Sequence, residues 1–375
     1  MDRSAVAIRY FQRLIFQKDE NNTMADLNSY LKRAVDDQAS DLFIVAGCPI
    51  SEKVDRHIRP IESAKLLPPD TEQLIRDIYA LANRPMDRYM ATGDDDFSFA
   101  IPGLSRFRVN TYRQRNSLAA VVRVVSFDIP QWEQIHIPSQ VMDIADISHG
   151  MILFTGTAGS GKSTTQACII DRINRTRDCH IITLEDPIEY LHRNQRSIVS
   201  QREIAIDTVD YLSALRSCLR QAPDVILLGE MRDAETIRTA ITAAETGHAV
   251  IATMHTKGAV NAIDRIIDSF SGSHQAQIRF QLANVLRTVV SQQMLPDKSG
   301  NVIPAFELMQ INSAIRGMIR DNKNYQIENA ISAGRSEGMI SMDQSILDLY
   351  RQGLITRETA LNYADHPDQL QRHLN

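Results

Sequence analysis

Residues 150–165 read Gly-Met-Ile-Leu-Phe-Thr-Gly-Thr-Ala-Gly-Ser-Gly-Lys-Ser-Thr-Thr, and this stretch decides the fold of the chain. Its apolar run at 151–154 predicts a buried parallel strand, and residues 164–173 predict a helix. Between them, Gly156-x4-Gly161-Lys162-Ser163 matches the phosphate-binding P-loop pattern. A glycine-rich turn between unrelated elements is the alternative, but strand, loop and helix follow in the order that a P-loop requires. The stretch therefore predicts a nucleoside triphosphate site.

The residue types of this loop suit phosphate chemistry. Glycines let backbone N–H groups turn toward phosphate oxygens, where a side chain would block the approach. The N-terminus of the following helix adds unpaired N–H groups and a positive dipole end. Lys162 is predicted to reach the β- and γ-phosphates of ATP, and the Ser163 hydroxyl is predicted to hold Mg²⁺. The predicted nucleotide-binding residues are Gly156, Thr157, Ala158, Gly159, Ser160, Gly161, Lys162, Ser163 and Thr164.

The composition is that of an ordinary soluble globular protein. Of the 375 residues, 43% are hydrophobic and 23% are charged, with a net charge of −5. This mild acidity argues against a general nucleic-acid binder. The four cysteines form no C-x-x-C pair, which argues against a zinc module and favours reduced thiols. Because the sequence shows neither a signal-peptide core nor an apolar run of about 18 residues, we predict a cytoplasmic protein.

The pattern of predicted elements changes along the chain. Up to residue 128 the order α-β-β-α-β-β-β predicts a complete small α+β domain. After a proline-bounded segment, apolar strands alternate with helices, which predicts a RecA-like parallel sheet covered by helices. The predicted segments are an N-terminal extension with a short amphipathic helix (1–22), the small domain (23–128), a linker (129–138), the RecA-like core (139–260) and a C-terminal part (261–375). That last part is predicted to be mostly helical, apart from a hairpin at 296–306.

Carboxylates follow two predicted strands of the RecA-like core. Glu185, Asp186 and Glu189 come after the strand at 181–185, and Glu230 comes shortly after the strand at 225–228. Ligands of open α/β sheets bind at the carboxyl ends of strands, and phosphoryl transfer to water needs such groups near the water and the Mg²⁺ shell. A solvated acidic turn is the alternative for the first group. For Glu230 the alternative is a core strand that ends in a surface glutamate.

Two histidines flank the apolar run at 249–253. His248 precedes it and His255 follows it. Lone histidines are more often structural, but this pair is also suited to sensing the γ-phosphate or contacting a neighbouring subunit. Convergence on one metal ion is a poor alternative, since seven residues of extended strand separate the two side chains.

Five arginines fall within 18 residues of the small domain: Arg106, Arg108, Arg113, Arg115 and Arg123. Alternation along a strand puts Arg106 and Arg108 on one face, and also Arg113 and Arg115 if the strand continues. A basic solvated face is the simplest interpretation. Arginine fingers that reach the nucleotide of the next subunit are the second. A nucleic-acid strip is the third, and it lacks aromatic residues beyond Phe107 and Tyr112.

With these residues in view, the chain resembles the type IV pilus retraction ATPases, the twitching-motility (PilT-type) branch of the type II/IV secretion ATPases. The resemblance covers residues 24–365 and is highly specific. It is carried by Ser40-Asp41-Leu42-Phe43-Ile44, Arg106-Phe107-Arg108-Val109-Asn110, the P-loop, Glu185-Asp186-Pro187-Ile188-Glu189, residues 215–224, Gly229-Glu230-Met231-Arg232-Asp233-Ala234-Glu235-Thr236, Ala243-Ala244-Glu245-Thr246-Gly247-His248 and Thr253-Met254-His255-Thr256.

The resemblance implies roles for individual residues. Lys162 and Ser163 would bind phosphate and Mg²⁺, Glu189 would be the catalytic glutamate of an acidic box with Glu185 and Asp186, and Glu230 would lie in the outer Mg²⁺ shell. His248 and His255 would form a histidine box. A PAS-like N-terminal domain would donate arginines to the neighbouring site, with Arg106, Arg108 and Arg115 as the candidates.

A C-terminal segment also matches the retraction branch. Residues 314–321, with Ala314, Ile315, Arg316, Ile319 and Arg320, are similar to its helical retraction motif. Ile315, Met318 and Ile319 are predicted to form the buried stripe. Arg316 and Arg320 are predicted to lie on the opposite, exposed face as a partner surface, with a solvated face as the alternative.

The sequence of this chain departs from the family pattern at several positions. Thr157-Ala158 replaces the commoner Pro-Thr, and Asp55-Arg56 replaces an Asn-Gly turn. Arg113 and Arg115 are shifted relative to the commoner order, which leaves open which arginine acts in trans.

The function implied is a hexameric ATPase motor that couples ATP hydrolysis to type IV pilus retraction, through pilin depolymerisation and twitching motility. Its implied partners are other copies in a homohexamer, an integral platform protein of the inner membrane and other pilus ATPases, with only peripheral contact to the membrane. An accessory retraction ATPase or a related secretion or conjugation ATPase is the close alternative. A RecA-like nucleic-acid motor and a nucleotide-gated scaffold without turnover are more distant ones.

Overall fold

The computed structural model describes residues 26–54, 57–125 and 127–374. The chain divides into two compact units, Met1–Val125 and Ser126–Asn375. The helix predicted within residues 1–22 lies outside the described residues. The segment predicted as a linker, 129–138, belongs to the second unit, because Ile129, Trp132 and Ile135 pack against the apolar core of that unit.

The first unit is a six-stranded antiparallel sheet with helices against one face. Its elements are α1 (Leu27–Asp36), β1 (Asp41–Ile44), β2 (Pro49–Val54), β3 (His57–Lys65), α2 (Pro68–Leu81), α3 (Asp87–Thr92), β4 (Asp94–Ile101), β5 (Ser105–Gln114) and β6 (Ser117–Val125). The strand order is β3-β2-β1-β6-β5-β4. Alternate residues of β5, such as Phe107 and Val109, are buried against Ile75 and Ile78 of α2.

Two local features of this unit differ from the sequence prediction. The predicted order has two strands between the first two helices, whereas the structure has three, β1, β2 and β3. The polar residues of β2, Ser51 to Lys53, conceal that strand in the sequence. Arg115 does not continue the face of Arg113. Arg115 and Asn116 both have positive φ, 48° and 63°, and they form the tight turn between β5 and β6, where this backbone suits the twist of a hairpin.

The second unit is built on a seven-stranded sheet with helices on both faces. Its elements begin with α4 (Ser139–Met142), β7 (Gly150–Thr155), α5 (Lys162–Thr176), β8 (His180–Glu185), β9 (Ile198–Glu203), α6 (Tyr211–Cys218), β10 (Val225–Leu228), α7 (Ala234–Glu245) and β11 (Ala249–Met254). They continue with α8 (Ala259–Asp268), α9 (Gly272–Val285), β12 (Leu286–Pro296), β13 (Val302–Gln310), α10 (Ser313–Arg320), α11 (Ile327–Ala333), α12 (Met342–Arg351), α13 (Arg357–Tyr363) and α14 (Pro367–Leu370).

The sheet order is β13-β12-β7-β11-β10-β8-β9, and every pair except β12–β13 is parallel. The predicted parallel sheet is therefore present. Met151 and Leu153 of β7 pack into one apolar cluster, while Ile152 and Phe154 pack into another on the opposite face. Burial on both faces explains why β7 is a continuous apolar run instead of an alternating one.

The part after residue 261 contains more strand than predicted. The predicted hairpin at 296–306 is in fact β12 and β13, which pair from Thr288–Gln310 to Pro296–Val302. β12 extends the parallel sheet beside β7, so this part completes the sheet of the second unit. The β-branched run Thr288, Val289 and Val290 favours this conformation, and polar residues around it hide the pattern.

The segment predicted as a retraction motif folds as α10, with a correction to its predicted exposed face. Ile315 and Ile319 are fully buried and Met318 is partly buried. Arg320 is exposed, but Arg316 is half-buried. Its Nε donates to the carbonyl of Ala283, 3.0 Å away in the last turn of α9, where helix carbonyls lack intrahelical partners. Arg316 therefore joins α9 to α10 and does not belong to a freely exposed arginine pair.

Candidate nucleotide site

The P-loop connects β7 to α5. Gly156, Gly159 and Gly161 all have positive φ, at 142°, 77° and 84°. A Cβ on Gly156 would collide with the carbonyl oxygen of Gln292 and with the Ser160 hydroxyl. Glycine is therefore required at Gly156 for both backbone conformation and space. The resulting cradle ends at Lys162, the first residue of α5, so the loop leads directly into a helix N-terminus.

Lys162 is held within the loop. Only 7% of the residue is exposed, and its Nζ donates to the carbonyl oxygens of Gly156 at 2.8 Å and Thr157 at 2.7 Å. Burial lowers the pKa of Lys162, and the charge of Glu189 partly opposes that effect. The ammonium and the Glu189 carboxylate thus interact electrostatically in one site.

A cavity of about 450 Å³ lies over this loop. It brings together most of the residues that the sequence singled out. The predicted residues that line the cavity are Ala158, Gly159, Ser160, Gly161, Lys162, Ser163, Thr164, Glu185, Asp186, Glu189, Glu230 and His255. Gly156 and Thr157 are not among the lining residues, since they form the turn beneath Lys162.

Strand register explains why residues from separate parts of the chain line one cavity. Leu184, Leu228, Ala252 and Leu153 lie side by side across β8, β10, β11 and β7. Because these strands are parallel, their carboxyl ends meet at one edge of the sheet. The acidic groups that follow β8 and β10 are therefore next to the P-loop that follows β7.

The three carboxylates most relevant to chemistry have different surroundings. Glu185 accepts hydrogen bonds from the Thr183 hydroxyl at 2.5 Å and the Gln201 amide at 3.3 Å. Burial of its carboxyl group nevertheless raises the pKa of Glu185 to about 7. Glu189 is exposed to the cavity. Glu230 is 7% exposed and is contacted by Arg232 and by His255 Nε2, the latter at 3.3 Å.

The two predicted histidines are separated by the strand between them. His255 lies at the carboxyl end of β11 and lines the cavity. His248 lies before the other end of β11, where its Nδ1 is 2.9 Å from the Ala243 carbonyl and 3.1 Å from the Thr246 hydroxyl. An extended strand of this length places its ends on the order of 20 Å apart. Within this chain His248 is therefore a residue of the α7–β11 turn and not of the cavity.

The predicted arginines lie in the first unit. Arg106 and Arg108 are half-buried on the face of β5 that points away from the core. In the strand register, Arg108 lies directly opposite Arg123 of β6. Arg115 is exposed in the turn after β5. None of the three lines the cavity over the P-loop.

Sequence reasoning missed several cavity residues. Tyr211 begins α6, and its hydroxyl lies 2.8 Å from the point where a Cβ on Gly229 would be. Burial and the charges of Glu230, Asp186 and Glu185 raise the pKa of Tyr211. These contacts join segments more than 15 residues apart, so no local pattern identifies them.

A buried polar pair also lies at this cavity. The Gln166 amide on α5 donates to the Thr253 hydroxyl on β11 at 2.9 Å, and both residues line the cavity. Each is the kind of polar residue that occurs singly in many helices and strands. The two residues are 87 positions apart in the sequence, so their hydrogen bond can be recognised only after the fold has brought α5 and β11 together.

A second cavity, of about 320 Å³, adjoins the other side of the P-loop. Gly161, Thr164 and Thr165 form the part of its wall that belongs to the P-loop and α5. Apolar side chains dominate its walls, including Ile135, Ile137, Met294, Val302, Ile303 and Leu354. The first two come from the segment predicted as a linker, which therefore forms one wall of a pocket.

The residues fit Mg²⁺ of the kind that a bound nucleotide carries. Ser163 lines the cavity one position after Lys162, and Glu230 and Glu189 line it too. Across residues 26–54, 57–125 and 127–374, no three His, Cys, Asp or Glu side chains form a metal-ligand group. Mg²⁺ bound through phosphates needs only one or two protein oxygens, so the site suits a nucleotide-bound cation and not an independent metal centre.

Within the described part of the chain, no helix is both long enough and apolar enough to cross a membrane.

Comparison with known proteins agrees with this site. The Type II/IV secretion system protein family matches residues 16–336. The chain is 40% identical over 344 residues to the type IV pilus retractation ATPase PilT of Pseudomonas aeruginosa, covering 92% of this chain and 99% of that protein. It is 44% identical over 283 residues to a twitching motility protein of Neisseria gonorrhoeae, covering 75% and 76%.

Among solved structures, the pilus retraction motor PilT with bound ADP superimposes with a TM-score of 0.84 at 40% identity, covering 93% of this chain and all of that one. The predicted α/β fold, a small N-terminal domain followed by an ATPase domain, is confirmed by this match. The resemblance inferred from the motifs is confirmed as well, and the chain belongs to the Type II/IV secretion system protein family.

Proposed function

We propose that this chain is an ATP-hydrolysing motor subunit that assembles into a homohexamer and drives type IV pilus retraction. Proteins named for pilus retraction and twitching motility are similar to it over most of its length. The observation that carries the proposal is one cavity that holds the P-loop, the exposed carboxylate of Glu189 and the buried carboxylate of Glu230.

ATP is the proposed substrate, with its parts divided between the two cavities. The phosphates occupy the larger cavity, against the backbone N–H groups of the P-loop and Lys162. The adenine base enters the smaller, mostly apolar cavity next to Thr164 and Thr165. The two cavities share Gly161 and Thr164, so one nucleotide can extend from one into the other.

Hydrolysis would use groups that line the larger cavity. Glu189 orients the attacking water and accepts its proton, since it is an exposed carboxylate of the cavity and its charge acts on Lys162. Lys162 stabilises the charge that develops on the phosphate oxygens. His255, in contact with Glu230, is suited to detecting whether a γ-phosphate is present.

Mg²⁺, when bound with ATP, would offset phosphate charge, with the Ser163 hydroxyl as its protein ligand and Glu230 in its outer shell. Arginines of the adjacent subunit, from the set Arg106, Arg108 and Arg115, would complete the site.

An integral platform protein of the inner membrane would hold the ring at the cytoplasmic face of that membrane, with another pilus ATPase as a further partner. An accessory retraction ATPase is the second candidate, because it would use the same site on the same fold.

The test compares variants that separate nucleotide binding from chemistry. Lys162→Ala is expected to abolish binding of a fluorescent ATP analogue, because it removes the cation from the loop. Glu189→Gln is expected to retain binding and to lose turnover at least about 100-fold, the lower end of the range for a general base. Glu358→Gln, an exposed glutamate on α13, is the control and should hydrolyse ATP normally. Normal turnover by Glu189→Gln would contradict the proposed chemistry.

The pilus assignment needs a cellular measurement. Cells that carry Glu189→Gln as their only copy should keep extended pili and fail to twitch, whereas the Glu358→Gln control should twitch. DNA-stimulated hydrolysis by the purified protein would instead favour a nucleic-acid motor. A strain in which loss of this chain slows but does not stop retraction would favour the accessory ATPase.

A further inference from the structure

The loop that carries Glu189 is fastened to the neighbouring edge strand. This loop follows β8 and covers residues 186–192, which we call the acidic loop. Among the described residues, β9 is an edge strand that pairs with β8, with Thr183 opposite Gln201 and Glu185 opposite Glu203. Because side chains alternate along a strand, Gln201 and Glu203 project to the same face. Both of these side chains contact the acidic loop.

Gln201 binds the acidic loop with both ends of its amide. Its Nε2 donates to the carbonyl oxygen of Tyr190 at 2.8 Å, and its Oε1 accepts from the backbone N–H of His192 at 2.8 Å. The same Nε2 lies 3.3 Å from a carboxylate oxygen of Glu185. One side chain therefore joins the last residue of β8 to the end of the loop.

Two further contacts hold the loop on either side of Glu189. The backbone N–H of Ile188 donates to Glu203 at 3.3 Å. The hydroxyl of Tyr190 is hydrogen-bonded to the Thr164 hydroxyl on α5 at 2.9 Å. The residues immediately before and after Glu189 are thus tied to the rest of the fold, while Glu189 itself is exposed to the cavity.

The position of Glu189 follows from these contacts. Ile188 is buried, which fixes the loop just before Glu189. Gln201 binds the backbone N–H of His192, and burial lowers the pKa of the His192 ring to about 4. A general base must lie within hydrogen-bond reach of the water it activates, and a displacement of about 1 Å can cost on the order of 100-fold in rate.

We propose that Gln201 is a positioning residue for ATP hydrolysis, which sets the place of Glu189 by fixing the acidic loop to β9. This inference rests on the proposed role of Glu189. A purely structural role for Gln201, as a cross-link that stabilises an edge strand, is the competing explanation. The two differ in what they predict for turnover and for nucleotide binding.

The experiment replaces the amide while keeping the length of the side chain. Gln201→Met removes both hydrogen-bonding ends. The matched control is Gln293→Met on β12, where another half-buried glutamine amide donates to a carbonyl, that of Tyr363 at 3.1 Å. In the full-length protein, Gln201→Met should lower kcat at least about tenfold while KM for ATP stays within about twofold. Gln293→Met should leave both constants unchanged.

A double-mutant cycle distinguishes positioning from general stability. If Gln201 acts through Glu189, then Gln201→Met should cause no further loss of turnover in a Glu189→Gln background. Equal losses in both backgrounds would overturn the proposal, as would an unchanged kcat in the single variant or a parallel loss in Gln293→Met. If Glu189 itself has no catalytic role, the single variant Glu189→Gln shows this before Gln201 is altered.

A second variant covers the case in which Gln201→Met does not fold. Gln201→Glu keeps the acceptor for His192 and removes the donor for Tyr190 and Glu185, so it should also lower kcat and leave KM unchanged. In either folded variant, amide hydrogen exchange over residues 186–192 should be faster than in the parent, and exchange in the P-loop should not change. Unaltered exchange in the acidic loop would overturn the proposal.

Discussion

At the residue scale, the site shows how one residue type takes several roles through its surroundings. Glu185, Glu189 and Glu230 all line one cavity. Burial raises the pKa of Glu185 to about 7, Arg232 and His255 contact Glu230, and Glu189 is exposed to the space above the P-loop. The sequence predicts that these three residues lie near the nucleotide, because each follows a strand of a parallel sheet. It does not predict their different environments, since these depend on Thr183, Gln201 and Arg232.

The space that Gly229 leaves for the Tyr211 hydroxyl leads to a prediction about local crowding. A Cβ at position 229 would lie 2.8 Å from the Tyr211 hydroxyl and 3.0 Å from the Leu184 carbonyl. We expect Gly229→Ala to lower the free energy of unfolding by about 1–3 kcal/mol and to reduce ATP turnover, because Tyr211 must move next to Glu230. Adding Tyr211→Phe removes the nearest atom and should restore part of both losses.

Chemical denaturation and steady-state turnover measure these effects for the two single variants and the double variant. Strictly additive losses would show that the Tyr211 hydroxyl is not the group that Gly229 accommodates. Gly272→Ala is the control, since nothing lies within 4 Å of the Cβ position of Gly272.

At the scale of single elements, α10 shows where pattern alone is insufficient. The helical period of 3.6 residues correctly predicts that Ile315 and Ile319 are buried. It also assigns Arg316 to the outer face, but the long side chain of Arg316 reaches back to the Ala283 carbonyl. The position of α9 decides this contact, and the spacing of residues within α10 carries no information about it. The same reasoning applies to the strand pair β12–β13, whose polar residues conceal a sheet extension.

The arginines of α10 should therefore differ in their effect on stability. Arg316→Gln is expected to lower the free energy of unfolding by about 1 kcal/mol, because it removes a hydrogen bond between a charged group and a helix-terminal carbonyl. Arg320 is 56% exposed at its side chain, and its one ion pair in the described part of the chain is with the adjacent Asp321, so Arg320→Gln should cost close to zero. Urea unfolding of each variant measures this difference. Equal stability of the two variants would contradict the structural role of Arg316.

For the retraction motif itself, the informative variant is then Arg320→Gln. If the exposed part of α10 contacts a partner, this variant should hydrolyse ATP normally and assemble normally, while cells that carry it fail to twitch. Normal twitching would remove Arg320 from any partner surface.

Glu307 joins β13 to the N-terminus of α8 and predicts a pH dependence of stability. Its carboxylate accepts from the Ala259 N–H at 2.8 Å, yet burial and the nearby charges of Asp365, Glu328 and Asp343 raise its pKa from 4.5 to about 7. The folded state therefore binds more protons than the unfolded state between pH 4.5 and 7. Stability contributed by this group falls as the pH rises through that window, and the loss is complete above about pH 7.

Glu307→Gln stays neutral and can still accept the Ala259 hydrogen bond. Relative to the parent, this variant should gain stability as the pH rises from 5 to 8, by up to about 3 kcal/mol for a shift of this size. Thermal or urea unfolding at several pH values measures the gain, with Glu358→Gln as the exposed control. A constant difference between variant and parent across this range would show that Glu307 is not buried as a titrating group.

At the scale of the whole molecule, the chain consists of two units whose proposed functions depend on each other. The P-loop and its carboxylates belong to the second unit and were predictable, because phosphate binding needs contiguous residues in a fixed order. The candidate arginines belong to the first unit. Their strand could be predicted from alternation, but the role of each could not, since Arg115 lies in a turn and Arg108 lies across from Arg123.

Arg106→Gln, Arg108→Gln and Arg115→Gln each remove a charge while keeping a long polar side chain. If the arginine concerned completes the site of an adjacent subunit, its variant should bind ATP normally and hydrolyse it at least about tenfold more slowly than the parent, within the range of arginine fingers. Arg76→Gln on α2 is the control, because Arg76 is 52% exposed and its ion pair is with Glu72, one turn away on the same helix.

Mixing experiments then distinguish action between subunits from action within one. Lys162→Ala leaves the arginines intact and disables its own P-loop, whereas an arginine variant does the reverse. In a ring made by random exchange of equal amounts, about a quarter of the sites combine an intact P-loop with an intact arginine from the neighbour, because contacts around a ring are head-to-tail. Turnover should therefore recover on mixing to about a quarter of the parent value. If the arginine acted within its own subunit, no site in the mixed ring would be complete. Absence of recovery, with subunit exchange verified by native mass spectrometry, would rule out the proposed contribution in trans.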